Sequence, residues 1–208
     1  MFDFQSIILS APAILFGLTI HEFSHGYVAW RLGDPTAKMM GRLTLNPLKH
    51  LDPIGTIALF LFHFGWAKPV PIDPRNFRHP TRDMAISGLA GPAANLLTAA
   101  VSGLILRVLI MLHVGGFVAT LTSYFVLFNL ILCFFNLLPI PPLDGSRLLY
   151  HLLPPNLAAA YGRLERYGFM ILIGIILVGN LTGVSLLSLY ITPLLRVFTL
   201  LFVGRPMV

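Results

Sequence analysis

The chain has 208 residues, of which 56% are hydrophobic and 11% charged, and its mean hydropathy is +0.82. A water-soluble domain carries about a quarter charged residues, so an ordinary soluble globule is excluded, as is disorder, which needs low hydrophobicity. The net charge of +6 does not point to nucleic acid, because the basic residues gather between apolar runs, as in the loops of membrane proteins.

The first apolar stretch, residues 4–30, is interrupted only by His21, Glu22 and His25. No basic residue precedes it and Asp3 does, so a retained helix is expected rather than a cleaved leader. Residues 32–83 form a long, basic connection. Within it, Lys38–Leu45 reads as a strand ending at Asn46-Pro47. Ile54–Trp66 is apolar but too short to span, and Lys68-Pro69-Val70-Pro71 follows. That combination predicts a re-entrant or interfacial hairpin. The second apolar stretch, 84–112, contains Arg107, and the third, 117–143, carries no charge. A helix rises 1.5 Å per residue, so about 20 residues cross the hydrocarbon core. Each of these three stretches is long enough to cross once. The fourth, 168–195, continues to Val203 past Arg196. It reads either as one long tilted helix or as two elements broken near Gly179–Gly183. Cys133, the single cysteine, lies in the third stretch and can form no internal disulfide.

The predicted fold is an α-helical, multi-pass integral membrane protein forming one domain over residues 1–208. Its core is 4–150, followed by one or two C-terminal helices over 168–204. Eleven of the fourteen basic residues fall in Arg31–Arg82 and Asp144–Tyr167, whereas residues 1–30 and the 113–116 turn have none. The excess of positive charge puts those two segments in the cytoplasm and the N-terminus outside.

His21-Glu22-Phe23-Ser24-His25 is an H-E-x-x-H motif. On a helix, imidazoles at i and i+4 leave one face and can share a zinc ion, with Glu22 one residue round and within reach of a water there. Two histidines and a carboxylate are expensive in a membrane helix unless paired or solvated, and metal binding satisfies both imidazoles. A catalytic zinc needs a third protein ligand. The candidates are His50, His63, His79, His113, His151, Asp83 and Asp144. Asp144 is preferred because Pro139, Pro141 and Pro142 break the third helix just before it and Gly145 follows. Irregular backbone near membrane depth is tolerated where it lines a cavity. Asn95 and Asn136 are amides in apolar spans. Each reads either as an interhelical hydrogen bond or as a donor to a reaction oxyanion.

The motifs together resemble the site-2 protease group of intramembrane metalloproteases, peptidase family M50. His21–Gly26 resembles the family's zinc motif, and Asn136-Leu137-Leu138-Pro139-Ile140-Pro141-Pro142-Leu143-Asp144-Gly145 resembles its second signature. Ala90–Asn95 and Gly65–Pro71 resemble further family segments. The resemblance covers roughly residues 10–150. It implies a three-helix catalytic core with one zinc ion sunk below the cytoplasmic surface, and a membrane-associated β-hairpin region in 35–75 that helps hold an extended substrate. It also implies His21, His25 and Asp144 as metal ligands, Glu22 as catalytic base, Asn136 as a supporting residue and Asn95 as a weaker candidate. Unlike in many relatives, neither a PDZ domain between the signatures nor a CBS-like tail is expected.

The expected activity is zinc-dependent hydrolysis of peptide bonds within or near transmembrane segments of membrane proteins. Those segments and the lipid bilayer are the expected partners, and a prokaryotic cell membrane is the expected location. Two alternatives use the same residues: a metal transporter or metal-sensing membrane protein, and an inactive relative that binds transmembrane helices. A transport path calls for ionisable residues in several spans, and here the spans are nearly bare outside the motifs.

Overall fold

The structure, a computed structural model, describes residues 4–55 and 65–208. Its helices are α1 (Phe4–Arg31), α2 (Thr36–Met39), α3 (Pro80–Met111), α4 (Gly116–Asn136), α5 (Asp144–Leu152), α6 (Pro155–Gly162), α7 (Gly168–Thr182) and α8 (Leu186–Val203). Among the described residues, α3, α4 and α8 are long and apolar enough to cross a membrane. At 28 residues, α1 has the length to do so as well.

Helices α1, α3 and α4 pack against one another, and α8 packs on α3 and α4. The buried core between the last three is formed by Ala99 and Leu106 of α3, Val126, Leu130, Cys133 and Phe134 of α4, and Leu195 and Val203 of α8. The Phe134 and Phe198 rings lie 5.0 Å apart. Helix α3 runs away from the end of the bundle where Ser87 meets His25. At its far end Gly103 lacks a Cβ where Phe202 of α8 comes closest. Leu187, at the start of α8, packs instead on Leu138, Leu143 and Leu172, so α8 runs parallel to α3.

The fourth apolar stretch is therefore two elements. They are joined at Gly183, whose φ of +72° suits a residue without Cβ. Helix α7 starts against the Pro141 carbonyl, at the same end of the bundle as the start of α8. Its 15 residues do not carry the chain across, and α8 supplies the one C-terminal span.

The strand expected over Lys38–Leu45 is absent. Residues 36–39 form one helical turn closed by Gly41 at φ +63°. Gly41 N–H donates to Lys38 O at 3.1 Å and Arg42 N–H to Ala37 O at 2.8 Å, the paired bonds of a left-handed helix cap. Alternation along Arg42–Leu45 imitates a strand, but Gly41 ends the helix and turns the chain. Of the expected hairpin, the described residues contain one antiparallel bridge, Leu51 with Ala67. Residues 56–64, including His63, lie outside the described part.

Asp34 ties the end of α1 to residues 73–76. Its carboxylate is fully buried and accepts from Thr36 N–H and Oγ1, from Asn76 Nδ2 at 2.7 Å and from Asp73 N–H at 2.8 Å. Desolvation pushes the carboxyl up, but these donors outweigh it and hold it below the usual carboxylate range. A carboxylate acidified by folding stabilises the fold above its unfolded-state pKa and loses that contribution as pH falls through the folded value. Asp34→Asn turns an amide toward these donors. It should cost about 2 kcal/mol at neutral pH, and the deficit should shrink below about pH 4. Thermal unfolding in detergent across pH checks both the size and the sign.

Candidate metal centre

Two turns of α1 and the start of α5 build the site. His21 and His25 project from one face of α1, as their four-residue spacing requires. Asp144 reaches them because the chain turns sharply after α4. Leu143 N–H donates to Ile140 O at 2.9 Å, Ser146 N–H donates to Leu143 O at 3.0 Å, and Tyr161 Oη donates to Pro139 O at 3.0 Å. Gly145 is required in that turn, since a Cβ there would stand 2.2 Å from Leu137 O.

His21 Nε2 and His25 Nε2 are each 3.1 Å from Asp144 Oδ2 and 3.0 Å from each other. All three side chains are buried. The other face of each ring fixes its tautomer. His21 Nδ1 donates to Asn95 Oδ1 at 2.6 Å, and His25 Nδ1 donates to the Ser87 carbonyl at 2.6 Å. The Asn95 amide is oriented in turn, because its Nδ2 donates to Gly17 O at 3.0 Å and to Asn129 Oδ1 at 2.9 Å.

With both Nδ1 protons used, neutral rings turn two Nε2 lone pairs toward each other and toward a carboxylate oxygen. Three acceptors at such distances repel unless a cation sits among them. Ligand atoms round a tetrahedral zinc stand roughly 3.3 Å apart, close to the spacing found. Gly91 of α3 keeps the space beside these atoms clear, since its Cα faces both Nε2 positions. The donor set and the cradle fit zinc.

Comparison with known proteins agrees with this chemistry. A sequence profile of Peptidase family M50 matches residues 101–179, a stretch that includes the Asn136–Gly145 signature. YwhC of Bacillus subtilis is 42% identical over 167 residues, covering 76% of this chain and 75% of YwhC. The chain belongs to peptidase family M50. Rip2 of Mycolicibacterium smegmatis is 33% identical over 171 residues, covering 80% of this chain and 65% of Rip2. Rip2 of Mycobacterium tuberculosis is 29% identical over 174 residues, covering 81% of this chain and 66% of the relative. All three relatives are provisionally named zinc metalloproteases. No solved structure matches the chain. As an M50 peptidase with membrane-length apolar helices, this protein is an integral membrane zinc metalloprotease.

The remaining sequence candidates are placed by other contacts. Glu22 is half-buried and its Oε2 accepts from Val70 N–H at 2.8 Å. Asn95 sits behind His21 with its amide protons already donated. Asn136 is half-buried in the last turn of α4 and donates to Leu132 O at 2.9 Å. Asp83 pairs with Arg82 at 2.9 Å, His50 donates to Thr44 O at 2.8 Å, and His113 lies beyond the far end of α3. His79 immediately precedes α3 without a side-chain capping bond, and His151 is exposed in α5.

Sequence reasoning missed Asn129, the Ser87 carbonyl and Gly91. Asn129 carried a signal as an amide in an apolar span, and Gly91 as a member of the four-spaced Gly91, Asn95, Ala99, Gly103 stripe. Removing the Nδ1 partner of a metal-binding histidine typically costs 10- to 100-fold in affinity. Asn95→Ala is expected to weaken zinc binding by about that factor, as read by competition with a chromogenic chelator, while the helical circular dichroism is kept.

Proposed function

We propose that this protein hydrolyses peptide bonds within or beside transmembrane segments of other membrane proteins, with His21, His25 and Asp144 holding zinc. The observation that carries this reading is the meeting of two α1 imidazoles with a carboxylate more than a hundred residues later, inside a bundle of membrane-length helices. Zinc bound there supplies a Lewis acid that acidifies water and polarises a carbonyl. Glu22 is the base: it takes the proton of the attacking water and returns it to the leaving amine. Val70 N–H occupies one of its oxygens and leaves the other to do this. Asn95 and the Ser87 carbonyl hold the two rings in the tautomer that turns Nε2 inward. The oxyanion role falls to Asn136, whose amide gives one proton to Leu132 O and has a second, whereas Asn95 donates both of its own.

A peptide bond in a substrate helix is shielded by its own hydrogen bonds, so helix-breaking residues should favour cleavage. The basic segments 31–82 and 144–167 flank the metal centre, which supports a cell membrane with that end toward the cytoplasm. Among the described residues this is the one cluster of three metal-type side chains, which favours a fixed catalytic ion over a transport path.

The test is purified protein in proteoliposomes with a transmembrane peptide carrying a central Asn-Pro pair. The expected result is cleavage that stops with a chelator and returns with zinc. Cleavage indifferent to the chelator, or a protein that binds no zinc, overturns the proposal.

A further inference from the structure

Arg42 is only 9% exposed. Among the described residues its Nε–H has no hydrogen-bond partner, and it makes no ion pair with any described carboxylate. Burying a guanidinium on such terms is costly. Its Nη2 makes one bond, to the carbonyl of Lys68 at 2.8 Å. The other side of Lys68 is held too, since its N–H donates to His50 O at 2.8 Å, next to the Leu51–Ala67 bridge. His50 is itself buried and anchored through Nε2 to Thr44 O at 2.8 Å. Both peptide groups of Lys68 are therefore clasped by the 42–51 loop. Two residues on, Val70 packs its side chain against α1 at Gly26, where a Cβ would stand 3.0 Å from Val70 Cγ1. Its N–H donates to Glu22 Oε2 at 2.8 Å.

We propose that Arg42 is a positioning residue for Glu22. Through the Lys68 carbonyl it fixes the 67–70 backbone, so that Val70 N–H pins one carboxylate oxygen and the other is aimed at the proton it must take. The proposal rests on the assignment of Glu22 as base. It explains an arginine whose own environment gives the fold little return. Met in place of Arg42 loses the bond to Lys68 O but also removes the cost of burying a charge without a counter-ion, while a small misplacement at a reacting group costs up to about 100-fold in rate.

Two measurements test it. The first needs no substrate: amide hydrogen exchange at Val70 should accelerate in Arg42→Met while the melting temperature is unchanged or higher. The second uses the Asn-Pro transmembrane peptide in a cycle of Arg42→Met, an ester in place of the Val70 amide (which deletes the N–H), and both together. Arg42→Met should lower kcat about 10- to 100-fold with KM and zinc content unchanged, and the double variant should lose no more than the ester alone. Unchanged Val70 exchange, losses that multiply, or a loss of activity that tracks a falling melting temperature would each overturn it. Turnover that survives Glu22→Gln would instead remove the base assignment, an outcome separate from the exchange result.

Discussion

Glu22→Gln should keep its zinc and lose about 10²- to 10⁴-fold in turnover. The substitution preserves length, shape and an oxygen that can still accept from Val70 N–H, and it touches none of the three cluster atoms. What it removes is proton affinity. A change confined to proton transfer lowers kcat without altering KM or metal content. The check is zinc stoichiometry by elemental analysis alongside turnover of the Asn-Pro peptide. Full zinc with turnover near that of the unaltered protein would take the base role away from Glu22. The comparison with Arg42→Met is informative, because that variant keeps the base and loses only its aim.

The site was partly legible in the sequence, and the division has a physical cause. Pairs within one helix turn are fixed by local geometry, so His21 and His25 could be read from their spacing. Asp144 stood out because prolines and a glycine mark a break where a helix would otherwise continue. The hydrogen bonds behind the metal site could not be read, because they join different helices. Asn95 touches α1 through His21 and Gly17 and touches α4 through Asn129, and no sequence pattern encodes a three-way meeting. The misread strand at Lys38–Leu45 failed for a related reason. Alternating side chains say nothing of a left-handed glycine that lets Arg42 N–H turn back onto Ala37. The course of α7 was open because apolarity reports depth, not direction. Only the contact of Gly168 with Pro141 and the packing of Leu187 on the Leu138, Leu143 and Leu172 cluster show that both helices start at the same end.

Gly91→Ala should abolish both zinc binding and activity. Gly91, Asn95, Ala99 and Gly103 form a four-spaced stripe that suggests helix packing. At Gly103 that is what it does, against Phe202. At Gly91 the neighbours are the imidazoles of His21 and His25. A Cβ there would stand 2.5 Å from His25 Nε2 and 2.7 Å from His21 Nε2, well inside van der Waals contact and next to the two nitrogens that face Asp144. The rings cannot retreat. Each is tied at Nδ1, His21 to Asn95 and His25 to the Ser87 carbonyl, and Asn95 and Ser87 belong to α3, the same helix as Gly91. Moving α3 outward to make room would break those bonds together with the Asn95–Asn129 bond to α4. Overpacking a tight interior typically costs about 1–3 kcal/mol. Stability should fall modestly, whereas the zinc content should fall to background. Elemental analysis of the folded, detergent-purified variant decides the point, and Ala99→Gly on the same stripe serves as a control that should retain zinc. Full metal occupancy in Gly91→Ala would mean that α3 does not press on the imidazoles as described, and the account of how the site is held would fall with it.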